Sequence, residues 1–328
     1  MVKRKRKILI LTHNNPDPDS LASALALQYF LRQTCRVDSL IAFGGVVGRA
    51  ENKAMIRHLK IDARPFTDIN IKRFSVVALV DTQPGAGNNS LPKSVVPSIV
   101  IDHHRPIRAA TRKVPYVDIR TDYGSTSTIL TEYLREAGIQ NLDKKVATAL
   151  LYGIKSDTRD LGRGTGPRDM NAYLFLYPWV RFRVLSKIEN PELSRVHFKL
   201  FEQTIHNAKV YRDVIVSDVG QIDNADILAE MADLLIRLEG MQWSLSIGEY
   251  GGDIYFSVRA KHTRVQADRI VRMMVQHIGS AGGHAMVAAG KITKTLVPGT
   301  DYNTIVKRLV TRFLKGVKRN DVQGRPLA

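Results

Sequence analysis

Three apolar runs in the first third of the chain end in a similar way. "KILIL" (7–11) runs into Thr12-His13, "VVALV" (76–80) into Asp81, and "SIVI" (98–101) into Asp102-His103-His104. Short β-rich runs without polar alternation predict strands buried on both faces. Elsewhere the period becomes helical, in "SLASALALQYFLRQ" (20–33) and "DKKVATALLYGIKSDT" (143–158). Strands alternating with helices predict βαβ units around a parallel sheet, whose ligands bind outside the carboxyl ends of the strands. Each of the three predicted strands thus delivers cation-binding residue types to that edge.

After residue 208 the pattern changes. "VIVSDVG", "WSLSIGEY" and "GDIYFSVRA" predict strands, and "VQADRIVRMMVQHI" a helix followed by a glycine-rich turn, "GSAGGHAMVAAG" (279–290). Proline and polar residues around "IENPELSR" (188–195) predict a break. The expected fold class is α/β, with a parallel-sheet domain over 1–189, a linker over 190–207 and a smaller α/β domain over 208–328. "IVKRLVTRFLKGVKR" (305–319) is a basic amphipathic helix; its apolar face is expected to pack into the second domain, with docking on RNA or an anionic membrane as the alternative.

Composition narrows the chemistry. Among 328 residues there is one cysteine, Cys35, so an intramolecular disulfide and a thiolate zinc cluster are both excluded. A metal must then be held by His, Asp, Glu or Asn, and a reducing cytoplasm is the expected compartment. No apolar run approaches the roughly 20 residues needed to cross a bilayer, so no stable membrane insertion is expected. The net charge of +18, part of it in "KRKRK" at the start, favours an anionic partner such as RNA or a nucleotide.

The stretch "THNNPDPDS" (12–20) places Asp17 and Asp19 two positions apart in a loop stiffened by Pro16 and Pro18. One reading is local, with Asp19 or Ser20 capping a helix that begins at Leu21; the other is a cation site that includes His13. Asp81, closing an apolar run, needs a cation or hydrogen bonds if it is buried. With Asp102-His103-His104 and Asp157 added, His13, Asp17, Asp19, Asp81, His103 and Asp157 form a candidate two-metal cluster. Imidazoles mixed with carboxylates suit Mn²⁺, Fe²⁺ or Co²⁺. Two cations about 3.5–4 Å apart can activate water and stabilise in-line displacement at phosphorus. There is no G-x-x-x-x-G-K-[ST] loop, which argues against a P-loop ATPase.

"THNNPDPDS", "VALVD", "VIDHH" and "YGIKSDT" resemble the four motifs of the DHH phosphoesterase superfamily, in order, and "GGHAMVAAG" resembles the glycine-histidine motif of its companion DHHA1 domain. The architecture is similar to that of the short nanoRNase and pAp-phosphatase group. The resemblance implies that His13, Asp17 and Asp81 bind one Mn²⁺, and that Asp19, Asp81, His103 and Asp157 bind a second; Mg²⁺ or Co²⁺ would be alternatives. It implies an orienting role for Asp102 and proton transfer or phosphate contact for His104. It also implies substrate phosphate binding by Arg259, Gly282, Gly283 and His284. The implied activity is hydrolysis of short oligoribonucleotides or pAp. A linear or cyclic dinucleotide phosphodiesterase, or a non-catalytic nucleotide or RNA binder, stands as the alternative, and a homodimer stays open. Pro18, Arg159 and Ala281 depart from the family pattern, where glycine is common, and bear on pocket shape.

Overall fold

The structure, a computed structural model, describes residues 7–139, 141–262, 266–283 and 286–328. The basic start (1–6) and His284 lie outside the described residues. The chain divides into two units, Met1–Pro191 and Glu192–Ala328.

The first unit runs β1 (Ile8–Leu11), α1 (Pro18–Phe30), β2 (Ser39–Phe43), α2 (Ala50–Leu59), β3 (Ala63–Pro65), β4 (Val76–Val80), β5 (Ile99–Asp102), β6 (Tyr116–Ile119), α3 (Thr126–Glu136), α4 (Lys144–Thr158), α5 (Pro167–Leu176) and α6 (Phe182–Glu189). Its six strands form an all-parallel sheet in the order β3-β2-β1-β4-β5-β6. The chain winds outward from β1 to β3, then crosses back to β4, so the order reverses between β1 and β4. At such a switch point the loops leaving neighbouring strands diverge and open a crevice. The three predicted strands β1, β4 and β5 are adjacent there, and their apolar runs are buried on both faces.

Helix α1 is buried from Pro18 to Leu27, which explains why "SLASALA" lacks a polar stripe. It packs on α3 and α4. Gly153 makes the approach of α4 possible, because a Cβ there would collide with Ser127 Oγ and stand 3.1 Å from Ala22 Cβ. The predicted helix over 20–33 continues past Phe30 as a π-turn, Leu31–Cys35, which ends at Arg36 in the left-handed conformation.

The second unit runs α7 (Arg195–His206), β7 (Lys209–Tyr211), β8 (Val214–Gln221), α8 (Ile227–Leu235), β9 (Trp243–Tyr250), β10 (Asp253–Ala260), α9 (Ala267–Met274), β11 (Gly279–Gly283), β12 (Val287–Ile292), α10 (Tyr302–Gly316) and β13 (Arg325–Pro326). The segment 190–207, read as a linker, includes α7, which packs on β8. Seven strands form a mixed sheet in the order β11-β12-β10-β9-β8-β7-β13, with β8 and β9 parallel and the other pairs antiparallel.

The glycine-rich stretch 279–290, expected as a turn, is strand over 279–283 and 287–290. It forms two paired strands, β11 and β12, because Gly279 and Gly283 let the backbones approach where a Cβ would collide with Lys291 and with Val287 and Ala288. Helix α10 buries Ile305, Leu309, Phe313 and Leu314 in the core of its own unit, as expected of its apolar face. Among the described residues no helix is long and apolar enough to cross a membrane.

Candidate metal centre

The carboxyl ends of β1, β4 and β5 deliver His13, Asp81 and His103 to one edge, and α4 brings Asp157 to the same place from its last turn. His13 Nε2 lies 3.5 Å from Asp17 Oδ1 and 3.5 Å from Asp81 Oδ2. His103 Nε2 lies 3.0 Å from Asp157 Oδ2, 3.7 Å from Asp81 Oδ1 and 4.0 Å from Asp19 Oδ2. Candidate ligand atoms of His13, Asp17 and Asp81 fall within 4.8 Å of one another, as do those of Asp19, His103 and Asp157. Asp81 thus reaches both groups. The third grouping, Asp81 with His103 and His104, satisfies the same distance test.

The loop "NNPDPDS" does two jobs. Asp17, rather than Asp19 or Ser20, is the helix N-cap: its Oδ1 accepts from Ser20 N–H at 2.9 Å, and the helix begins at Pro18. Pro18 suits that first position, where an N–H would have no intrahelical partner. Asp19 is 1% exposed and accepts from Thr126 N–H and Ser127 N–H, both at 2.8 Å. Those amides begin α3, so the positive end of that helix stabilises the Asp19 carboxylate. Asp157 sits at the opposite, negative end of α4, where a nearby cation is favoured.

Asp81 is 1% exposed and adopts the left-handed region at φ +61°, a conformation that costs a non-glycine residue about 1–3 kcal/mol. Its Oδ1 accepts from the Thr126 hydroxyl at 2.8 Å. Its Oδ2 and His103 Nε2 are buried without a hydrogen-bond partner; the 3.0 Å approach of Asp157 to that nitrogen lacks hydrogen-bond alignment.

The histidine tautomers explain this. His13 Nδ1 donates to the Asn14 carbonyl at 2.9 Å, and His103 Nδ1 donates to the Tyr123 carbonyl at 3.1 Å. In a neutral ring the proton is then on Nδ1, and the Nε2 lone pair faces the carboxylates. An imidazole fixed through its far nitrogen and a carboxylate oxygen left bare are a donor set that fits a divalent cation.

The electrostatics agree. Burial pushes the Asp19 carboxyl well above its usual range, with repulsion from Asp81 and Asp157 adding to it. Burial likewise raises Asp81. Burial opposes charge on His13 and His103, yet both are raised well above the ordinary imidazole value, by Asp17 and Asp81 and by Asp157 and Asp81 respectively. The carboxylates therefore draw positive charge into the site, and four of them balance two divalent cations.

Asp102 and His104 stand beside this cluster. Asp102 is fully buried; its Oδ1 accepts from His103 N–H and His104 Nδ1–H, both at 2.9 Å, and its Oδ2 from Gln83 Nε2 at 2.7 Å. Against burial, the bond to Asp102 and the Asp81 charge lift His104 to about 9. Gln83, which sequence reasoning missed, also donates to the His104 carbonyl and accepts from Arg108 N–H. Thr126 and Ser127 were missed as well. The available signal was "YGSTST" (123–128), a Ser/Thr cluster after a strand and before a helical period.

The residues expected on phosphate lie in the second unit. Arg259 is 3% exposed; its Nε donates to Asp233 Oδ1 at 2.6 Å, Nη1 to Ser257 Oγ and the Val258 carbonyl, and Nη2 to the Ala229 carbonyl and Asp233 Oδ2. The guanidinium is turned into its own unit. Gly282 and Gly283 are exposed on β11.

A parallel sheet with a carboxylate–imidazole cluster at its switch point defines a metal-site α/β domain, followed here by a mixed-sheet unit. The chain belongs to the DHH family: the model of the DHH family, N-terminal domain, matches residues 7–154 and that of the DHHA1 domain residues 212–315. Asp157 lies three residues beyond the first match. An uncharacterized protein of Methanocaldococcus jannaschii is 35% identical over 315 residues, 95% of this chain and 63% of that protein. The cyclic-di-AMP phosphodiesterase PdeA of Listeria monocytogenes is 23% identical over 261 residues, 75% of this chain and 39% of that protein. The chain thus spans less than two thirds of either relative. An exopolyphosphatase-related protein from Bacteroides fragilis shares the fold, with a TM-score of 0.74 and 15% identity over 95% of this chain and 93% of that one.

Proposed function

We propose that this protein is a divalent-cation-dependent phosphoesterase acting on short oligoribonucleotides, pAp or both. The observation that carries the reading is the bare, buried pair Asp81 Oδ2 and His103 Nε2 among four carboxylates. His13, Asp17 and Asp81 would hold one cation, and Asp19, Asp81, His103 and Asp157 the other. Mn²⁺ is the ion proposed first, because imidazole and carboxylate donors together suit it; Mg²⁺ and Co²⁺ are the alternatives.

When bound, the cations would supply Lewis-acid activation of water and charge neutralisation at phosphorus. The protein supplies the rest. Thr126 and the α3 amides hold two carboxylates in place. Asp102 accepts from His104 Nδ1–H and favours the imidazolium, whose Nε2–H would be the proton handed to the leaving oxygen, leaving the ring neutral with its remaining proton on Nδ1. Gly282, Gly283 and His284 are proposed phosphate contacts, whereas Arg259 is proposed as support for β10 and α8. The single cysteine makes the cytoplasm the proposed compartment.

The second reading, a linear or cyclic dinucleotide phosphodiesterase, is favoured by the similarity to PdeA. A non-catalytic binder has no use for six converging ligands. The test is turnover of two- to five-residue RNA, pAp and cyclic dinucleotides with Mn²⁺. Release of mononucleotides or AMP is expected, with a loss of about a hundred- to a thousandfold or more in Asp81→Ala, 10²–10³ being typical of losing one main electrostatic element. Full activity in a folded Asp81→Ala protein overturns the mechanism, and tight RNA binding without product under several metals favours the binder.

A further inference from the structure

Asp169 carries no role in the site as described so far. It lies in the first turn of α5 and is fully buried, and three donor groups make four hydrogen bonds to it. Gly124 N–H donates to both of its oxygens (3.0 and 3.1 Å), the Thr128 hydroxyl donates to Oδ1 (2.6 Å), and Gly166 N–H donates to Oδ2 (2.8 Å). The Gly166 bond alone is helix capping. The other two partners belong to the turn 123–128, and that turn touches three of the six candidate ligands.

The connections run through few bonds. The peptide between Tyr123 and Gly124 offers its N–H to Asp169 and its carbonyl to His103 Nδ1. A carboxylate that fixes the N–H thereby fixes the carbonyl that orients the imidazole. Two residues on, Thr126 bonds Asp81 through its hydroxyl, and the Thr126 and Ser127 amides bond Asp19. Gly124 has a steric reason to be glycine, since a Cβ would stand 2.7 Å from Thr158 Cγ2 and 3.0 Å from Asp169 Oδ2. Asp169 therefore ties the turn to the loop that follows Asp157.

We propose that Asp169 is a positioning residue for the cation cluster, holding the 123–128 turn so that His103, Asp19 and Asp81 converge. The inference rests on the reading of that cluster as a cation site. Residues that orient metal ligands typically change affinity by about 10–100-fold when altered.

The experiment is calorimetric titration with Mn²⁺ well below the thermal midpoint of each protein, beside thermal melts. Asp169→Asn keeps size but places an amide donor among N–H donors, and is expected to weaken Mn²⁺ binding at least about tenfold. Thr128→Val, which leaves the Gly166 cap intact, is expected to weaken it in the same direction. Asp143→Ala removes a comparable helix cap remote from the cluster, at α4, and is expected to lower the melt without changing Mn²⁺ affinity. Unchanged Mn²⁺ affinity in Thr128→Val, or in a folded Asp169→Asn, reduces Asp169 to a cap and overturns the inference. If the unaltered protein itself binds no Mn²⁺, the metal reading falls and this inference falls with it.

Discussion

Asp81 and Arg259 are both charged, both nearly inaccessible, and both on or at the end of a central strand, yet they do opposite things. Arg259 uses every nitrogen of its guanidinium within its own unit. Asp81 keeps one oxygen without a hydrogen bond, in a strained backbone conformation and beside other carboxylates. Burying a charge is costly unless it is paired. A charge satisfied inside the chain serves the fold. A charge with capacity left over points to something that is not part of the chain.

The strongest way to break this contrast is Arg259→Ala. Removing one member of a buried pair costs about 3–5 kcal/mol, and the 38% exposure of the Asp233 side chain should keep the loss near the lower end. A fall in the melting temperature or denaturant midpoint of this size is expected. An unchanged midpoint with a raised KM would instead make Arg259 a substrate contact and erase the distinction.

Cations should act on the other side of the comparison. A ligand bound by the folded state alone stabilises by about 2.7 kcal/mol at a hundred times its Kd. Mn²⁺ at about a hundred times its Kd is therefore expected to stabilise the unaltered protein by that order, read as a higher melting temperature, and to do so much less in Asp81→Ala. Equal shifts in both would mean that the cation binds elsewhere.

The smallest effect concerns an ordinary satisfied pair. Arg319 donates to Asp213 at 2.7 and 3.0 Å and holds that carboxyl below its usual range. A depressed folded-state pKa contributes stability above the unfolded value, about 3.9, and loses it as pH falls through the folded value. Arg319→Ala should therefore cost about 0.5–1 kcal/mol near neutral pH, and the difference should vanish in acid below that value. A deficit independent of pH would assign Arg319 to packing rather than charge.

Much of the first unit was legible because its signals are local. Runs such as "VVALV" are buried on both faces, so burial left no alternation to misread, and the ligands follow at the strand ends where parallel sheets expose their loops. The glycine stretch 279–290 misled for the opposite reason. Its small residues carry no period, and only the partner backbone against Gly279 and Gly283 makes strands of it.

What the sequence determined by itself was six candidate ligand residues and their placement near the carboxyl edge of a parallel sheet, since the apolar runs end where those residues begin and alternate with helical periods. Only the tertiary structure decided that Asp17 caps the helix and Asp19 does not, that Thr126 and Ser127 bond Asp81 and Asp19, that Gln83 bonds Asp102 and Asp169 bonds Gly124, and that Arg259 is bonded within its own unit. Those choices depend on which hydrogen-bond donor meets which acceptor across distant segments. That pairing is set by packing, and no local pattern of residues encodes it.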